Sequence, residues 1–492
     1  MSSHIISSTT DGSWRRIAVL GGGVSGLSAA YTLARARQAG APIEEFLIEA
    51  KDGLGGVIRT EVVDGFVIEA GPDSFLTEKP EAAALSRELG LGDSLLGSND
   101  GERRTYILHR GELIPLPDGL MLLVPTRIWP MITSPLLPMG AKLSMASEWF
   151  MSPPVNPPAD ESVADFVRRH FGVELLENIA DPLLAGVYGG DSASLSARSV
   201  LSRFWQMEQK YGSLTRGVLK ARRLRRKEAR KNSQGPPAPP APLFTTLKGG
   251  LGQLTEALAK NLDSARVFSG RRIESIEIAQ ANSKDVYVIR CDKGVSFQAD
   301  GIIFAVPAFE CSRLLSGLDA ALADSLATIE YSSAMTVALA YDAETAVKLP
   351  PGFGFLIPQK EGRRMLACTF VNAKFSHRAP AGHALLRCFL GGSRDPGVLE
   401  LSDEALIKLV REELQSILKL SATPLFHRVH RWPRAMAQYQ VGHEETVTRI
   451  QTRLLNHPTL ALAGNAYSGI GISDCVRTGR DAADRVMQQV LR

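Results

Sequence analysis

Cysteine is scarce: five in 492 residues, Cys291, Cys311, Cys368, Cys388 and Cys475. The odd count excludes a fully paired disulfide framework and makes a reducing compartment the expectation. With no C-x-x-C spacing, no pair of them outlines a metal site. Long apolar runs are also missing. No stretch of 18 uninterrupted apolar residues occurs, so a membrane-spanning helix is not expected. Excess charge of one sign is missing too: 56 Lys and Arg against 52 Asp and Glu leave +4, too little to argue for a nucleic-acid partner. The first 14 residues are polar and lack the basic-then-apolar order of a secretory leader. Residues 1–15 therefore read as a flexible tail, and a cytoplasmic location is expected.

Glycine, by contrast, is abundant and ordered. Residues 17–20 (Ile-Ala-Val-Leu) read as a short buried strand. Gly21, Gly23 and Gly26 follow in G-x-G-x-x-G spacing, and a helical stretch comes after them. Such glycines allow a tight turn, close backbone approach to a pyrophosphate and close helix–strand packing, with the phosphates at the helix N-terminus. The triplet alone fits an empty glycine turn equally well. A second strand at 45–49 ends in Glu49, placed to accept from a ribose hydroxyl. A second glycine turn follows at Gly55-Gly56. Nicotinamide enzymes do not require that turn; flavoproteins of the amine-oxidase and porphyrinogen-oxidase type carry it, so FAD is the expected cofactor.

Taken in order, residues 57–78 read as a strand, a turn at Asp64-Gly65 and a strand, with a backbone approach at Gly71-Pro72. Residues 116–158 are apolar (Leu120 to Val124, Ile128, Trp129, Met131, Ile132) and repeatedly broken by proline. They fit either short packed helices of a substrate domain or a monotopic surface lying on a membrane. Residues 181–199 read as a glycine-rich loop entering a capped helix. Nine Lys or Arg between 216 and 231 precede a Pro-rich run to 242. These read as a solvated basic helix and linker, or as an anionic-membrane contact. Four strand-like runs between 335 and 390 fit one antiparallel sheet, and a glycine turn at 464–474 precedes a last helix.

The resulting fold class is α/β. It has a Rossmann-like FAD-binding domain (16–90, 236–310, 441–492), an antiparallel-sheet substrate domain (91–115, 311–440) and an inserted, mainly helical domain (116–235) that could touch a membrane. The chain resembles the oxygen-dependent porphyrinogen oxidases. The resemblance is carried by 21–26, Glu49 with Gly55-Gly56, 71–75, 185–191, 247–250, 431–439 and 462–475. The 185–191 and 431–439 stretches are the more specific ones.

The resemblance implies that FAD is held by Gly21, Gly22, Gly23, Val24, Ser25 and Gly26, and by Glu49, Ala50 and Lys51. Gly55, Gly56, Val57, Ala70, Gly71, Pro72 and Asp73 continue the site, with Val267, Gly464, Asn465, Ile470, Gly471 and Ile472. Asp73 and Gly186 are the implied catalytic positions, Gly186 through its backbone carbonyl. Arg104, Thr105, Val187, Leu356 and Phe375 are the implied substrate contacts, the last two sandwiching a macrocycle. Thr105 stands where the plant and animal branch has a propionate-binding arginine, so Arg104 substitutes for it or the carboxylates are held differently; this leans toward the bacterial branch.

The implied partners are a tetrapyrrole and O2, the implied reaction a six-electron oxidation yielding H2O2, and no metal is implied. Peripheral membrane contact and oligomeric state stay open. No Ser-His-Asp or paired-carboxylate constellation stands out, and a CH2 bridge between pyrroles needs only orientation to give up hydride. Two other readings stand beside this one: a flavin amine oxidase on the same fold, and a non-catalytic binding protein of the prenyl-GTPase chaperone type.

Overall fold

The computed structural model describes residues 4–6, 14–121, 123–232, 241–281 and 284–492. Its centre is a five-stranded, wholly parallel sheet in the order Val267–Phe268, Ile43–Ile48, Arg15–Leu20, Gly301–Phe304, Leu460–Leu462. Ile17 to Leu20 and Ile302 to Phe304 are fully buried, as unbroken apolar runs in a sheet covered on both faces require. Helices Val24–Gln38 and Ile472–Val490 lie together over this sheet. They approach closely because Gly479 has no side chain: a Cβ there would stand 2.2 Å from the Ser25 carbonyl oxygen. The sheet is thus assembled from three separate stretches of chain.

A second layer pairs Ile273–Ala281, Lys284–Cys291 and Val295–Ala299. Here the expectation of a flexible tail over 1–15 is corrected. His4–Ile6 forms a strand parallel to Val295–Ala299, and Arg15 already belongs to the central sheet. An uncovered strand edge leaves backbone donors and acceptors free, and His4–Ile6 takes them up. The rest of that stretch, 1–3 and 7–13, lies outside the described residues, as does 233–240 of the Pro-rich run.

A second large sheet has seven strands: Phe426–Ala437, Tyr331–Tyr341, Ala384–Gly391, Met365–Phe370, Gly354–Leu356, Thr105–His109 and Glu112–Pro115. It is antiparallel except where Gly354–Leu356 meets Thr105–His109 in parallel. The turn predicted at Asp64-Gly65 carries the left-handed backbone it needs (φ 49° and 80°), and Arg110-Gly111 joins Thr105–His109 to Glu112–Pro115 in the same way (φ 54° and 80°).

The helical body spans Ile128–Thr133 to Leu214–Asn232. One correction falls here. The stretch read as a loop from 181 is the helix Asp181–Tyr188, with Gly186 inside it. Pro182 is tolerated because it sits in the first turn. The Arg394 guanidinium grips the Asp181 carboxylate bidentately at 2.6 and 2.7 Å, and Gly189 (φ 56°) ends the helix.

Inside this body Glu148, His170 and Glu208 are almost fully buried. His170 Nε2 lies 3.1 Å from Glu208 Oε1, and His170 Nδ1 lies 3.5 Å from Glu148 Oε1. Arg169 also donates to Glu208. Burial alone would lower the His170 pKa; the two carboxylates outweigh it and raise it. Burial would raise Glu208, but His170 and Arg169 pull it down to about 2. The raised His170 contributes stability that is complete below its unfolded value of about 6.5 and is lost as pH rises through its folded value. Glu208 contributes above its unfolded value and loses that contribution as pH falls toward about 2. The denaturation midpoint is therefore expected to fall as pH rises above about 6.5. His170→Gln should lower the midpoint at the acid end and flatten that slope, which denaturant titrations across the range will measure.

Candidate active site

The glycine turn leaves the central strand Arg15–Leu20 and enters the first helix. Gly21 (φ 106°) passes against the Ala305 carbonyl, where a Cβ would stand 2.5 Å from the oxygen. Gly26 lies so near Gly21 that its Cβ would be 1.8 Å from the Gly21 carbonyl oxygen. A Cβ on Gly23 would meet nothing within 4 Å. So two of the three glycines serve packing, and the middle one faces open space. Gly23 is also the N-cap of Val24–Gln38, and no side chain caps that helix, which leaves its first N–H groups for an anion. The second turn closes on the first: Gly55 N–H donates to the Gly22 carbonyl at 2.8 Å, and Gly56 (φ 63°) packs on Gly23.

Glu49 ends the next strand and accepts from Gly22 N–H at 2.6 Å and Lys51 N–H at 2.8 Å. These bonds hold the carboxylate at the cradle, with lone pairs to spare for a ribose. Ala50 is exposed beside it, and Val267 sits on the strand next to Ile43–Ile48. An uncapped helix start, an open glycine and an acid at the strand end form the donor and acceptor set that a dinucleotide needs.

The 70–73 turn ties this cradle to the seven-stranded sheet. The Ala70 carbonyl accepts from Trp432 Nε1 at 2.8 Å and from Thr336 Oγ1 at 3.0 Å. The Gly71 carbonyl accepts from the Arg387 guanidinium. Gly71 also passes beside Val57: a Cβ on it would be 1.8 Å from the Val57 carbonyl oxygen. Lys374 Nζ stands 3.0 Å from both Asp73 carboxylate oxygens. Burial would raise the Asp73 pKa, but Lys374 and then Arg387 outweigh it and hold the carboxyl far below the usual range. Asp73 is a permanently ionised, paired group, so it does not exchange protons near neutral pH.

Beyond the turn opens a cleft of about 2380 Å³ between the sheet, the helical body and the 468–474 loop. Arg104, Thr105, Val187, Ile470, Gly471 and Ile472 line it. At its 468–474 end the Asp474 carboxylate accepts from Gly471 N–H at 3.2 Å and pairs with Lys79 at 2.6 Å. Tyr439 OH donates to the Asn465 carbonyl and accepts from Gly469 N–H at 2.8 Å, and His443 stacks on Tyr439 at 4.0 Å. Burial pulls the His443 pKa down to about 4, and burial with Asp474 nearby pushes the Tyr188 phenol up to about 12. Both are neutral in use. A Cβ on Gly464 (φ 130°) would meet nothing within 4 Å, a second open glycine to match Gly23.

Two expected substrate contacts, Leu356 and Phe375, and the expected catalytic position Gly186 stand outside the residues that line the cleft. Phe375 is 1% exposed beneath the Lys374 and Arg378 cations and belongs to the core. Gly186 lies within a helix and packs toward Leu356, whose Cδ2 would be 3.5 Å from a Cβ at 186. These two touch each other across the helix–sheet junction. Lys374, Lys79 and His443 were missed in the sequence. Lys374 is 301 residues from its partner and Lys79 is 395 from Asp474, so no local pattern announces either pair.

The class of protein follows from this arrangement and from a family match. The model of the flavin containing amine oxidoreductases matches residues 24–487, and the chain belongs to that family; the cofactor its cradle fits is FAD. Among relatives, the coproporphyrinogen III oxidase of Bacillus subtilis is 33% identical over 95% of this chain and 97% of its own length. Protoporphyrinogen oxidase 1 of Arabidopsis thaliana chloroplasts is 31% identical over 95% and 87%. A provisionally named protoporphyrinogen oxidase from Exiguobacterium sp. 255-15 superposes with a TM-score of 0.83 at 28% identity, covering 96% of this chain and 99% of that one. A putrescine oxidase variant, at 18% identity and TM-score 0.67, shares the fold alone.

Asp73→Asn should strand Lys374 in a largely buried site. We expect a stability loss of about 3 kcal/mol, read as a lower denaturation midpoint. Asp73→Asn with Lys374→Met should recover part of it, since both charges then leave together.

Proposed function

We propose that the cleft oxidises a porphyrinogen to the porphyrin in heme biosynthesis, with O2 as final acceptor and H2O2 as product, in three two-electron steps. The observation that carries this reading is the cleft itself: about 2380 Å³, ample for a tetrapyrrole, and ending at the 468–474 loop of a flavin fold. The porphyrinogen oxidases among the full-length relatives support it. Bound FAD supplies the two-electron acceptor. The rest falls to the chain's own residues. Ile470, Ile472 and Val187 give the cleft apolar wall, and the Tyr439 hydroxyl holds the 465–469 backbone that borders it. A CH2 bridge between pyrroles is already an activated hydride donor, so holding it in one orientation is the main task. Asp73, locked to Lys374, contributes charge and position without taking a proton. The pyrrole N–H proton leaves to water or to a backbone carbonyl. Anaerobic mixing of the FAD-loaded protein with coproporphyrinogen III or protoporphyrinogen IX should bleach the flavin absorbance, and admitting air should give porphyrin fluorescence and peroxide. A yellow protein that neither substrate bleaches would overturn the reading and favour an amine as substrate.

We further propose that the enzyme works in the cytoplasm and rests on the inner face of the cell membrane. Among the described residues no helix is long and apolar enough to cross a bilayer. Residues 128–155 instead fold with a buried side (Met131, Leu136, Leu137, Met145) and an exposed one. Trp129 is 77% exposed and Phe150 80%, with Met139, Leu143 and Trp149 also outward. Outward Trp and Phe beside a basic helix suit an anionic membrane surface. The protein should co-sediment with anionic liposomes, and Trp129→Gln with Phe150→Gln should cut the bound fraction about tenfold. No binding by the unaltered protein would remove the proposal.

A further inference from the structure

The charged side chains packed beneath the 70–73 turn are Glu69, Asp73, Lys374, Arg378 and Arg387. All but one answer one another. Arg378 stands 2.8 Å from Glu69, and Lys374 stands 3.0 Å from Asp73. Arg387 is the exception. It is 5% exposed; its guanidinium donates to the Gly71 carbonyl and lies over the Phe389 ring at 4.8 Å. Among the described residues no carboxylate stands at ion-pair distance from it, and its Nε is buried without a hydrogen-bond partner. The carboxylates that act on it, Asp73 and Glu69, are the two already paired. Glu61 is taken by Arg59, Arg428 and His430. Asp100 belongs to the cleft wall, where it accepts from Ser98 and from Leu243 N–H.

An arginine stays charged in a protein, and a buried guanidinium that faces no carboxylate is costly. Burial pulls the Arg387 pKa down, and Asp73 and Glu69 offset that only in part. The turn therefore keeps one positive charge beyond its negative ones. The excess lies against Gly71, at the joint between the glycine cradle and the seven-stranded sheet. The ring of bound FAD is neutral when oxidised; with two electrons and one proton added it carries one negative charge. A fixed cation in a site of low dielectric favours the charged form over the neutral one, and does so beyond contact distance.

Resting on the assignment of the 70–73 turn to the FAD site, we propose that Arg387 sets the electron affinity of the bound flavin: its unanswered charge favours the reduced, anionic ring. Arg387 is a positioning residue in this role. It acts through its charge, with the Gly71 carbonyl as its mount. Asp73 and Lys374 cancel each other and leave the balance to Arg387. The role is independent of which substrate fills the cleft.

The test uses the FAD-loaded protein under anaerobic conditions and reads the flavin itself, without substrate. Its reduction equilibrium is measured against a two-electron reference dye. Its affinity for sulfite, which adds to the ring and leaves it negative, is measured by absorbance. Arg387→Met should shift the equilibrium about tenfold toward oxidised flavin, about 30 mV for a two-electron couple, and weaken sulfite binding about tenfold. Arg387→Lys keeps the charge and should stay within about threefold of the unaltered protein. Asp73→Asn removes a negative charge and should shift both readouts the other way. Asp73→Asn with Lys374→Met removes one charge of each sign and should return both to within about threefold. A purely structural role for Arg387 would lower the denaturation midpoint of both arginine variants without ordering the potentials by charge. Equal shifts in Arg387→Met and Arg387→Lys, no shift in either readout, or a shift of Asp73→Asn in the same direction as Arg387→Met would overturn the assignment. Where Arg387→Met does not retain FAD, the Asp73 variants carry the test, and a flavin no easier to reduce in Asp73→Asn overturns it. Shifts in the expected order, with a flavin that neither porphyrinogen bleaches, would leave the assignment standing and defeat the proposed reaction.

Discussion

The turn at 70–73 is the point on which the two halves of the site depend. On one side it continues from the strand Phe66–Glu69 beside the glycine cradle; on the other it is bonded to three strands of the seven-stranded sheet through Thr336, Arg387 and Trp432. Apart from Arg387, the charges beneath it are compensated in a chain. Glu69 faces the fully buried Arg378 at 2.8 Å, Arg378 donates to Thr246, Thr246 donates to the Asp73 carbonyl, and the Asp73 carboxylate pairs with Lys374. A buried network of this kind tolerates few alternative arrangements even though Arg378 Nε and Arg387 Nε make no hydrogen bond within it. It therefore fixes the position of the seven-stranded sheet relative to the glycine cradle. Apolar contact alone would allow sliding.

The cleft inherits its chemistry from that rigidity. Its apolar wall and its 468–474 loop belong to different stretches of chain, yet both are referred to the same turn. The carboxylates closest to the turn are paired, and His443 and Tyr188 are neutral through burial. The surroundings of the 468–474 loop are thus electrically quiet. That quiet suits a reaction in which orientation matters more than proton exchange.

Much of the nucleotide-binding half was legible in the sequence because its signals are local. Buried parallel strands are unbroken apolar runs, and the tight approaches of Gly21 and Gly26 leave a spacing that few other functions impose. The sites that escaped are those set by distant partners. Asp181–Tyr188 reads as a loop because Pro182, Gly186 and Gly189 weaken its helical pattern, and the Arg394 that stabilises it is 213 residues away. The strand Phe426–Ala437 carries polar residues and Pro433 because it edges its sheet, where such residues are tolerated. Phe375, read as a substrate contact, is buried under Lys374 and Arg378, whose ion pairs with Asp73 and Glu69 cannot be seen in one dimension. His4–Ile6 is a strand only because a free edge was waiting for it.

The contact of Gly479 with Ser25 has a consequence for the order of assembly. The first helix cannot take its final seat until the helix Ile472–Val490 arrives, and Leu460–Leu462 must add to the central sheet as well. During synthesis the ribosome releases the glycine cradle long before those residues emerge. A chain paused part-way exposes one face of Val24–Gln38 and one edge of the parallel sheet, both apolar and both long-range in their eventual partners. The cofactor is therefore expected to enter late, after the whole chain is free, and the nascent protein to depend on chaperones until then.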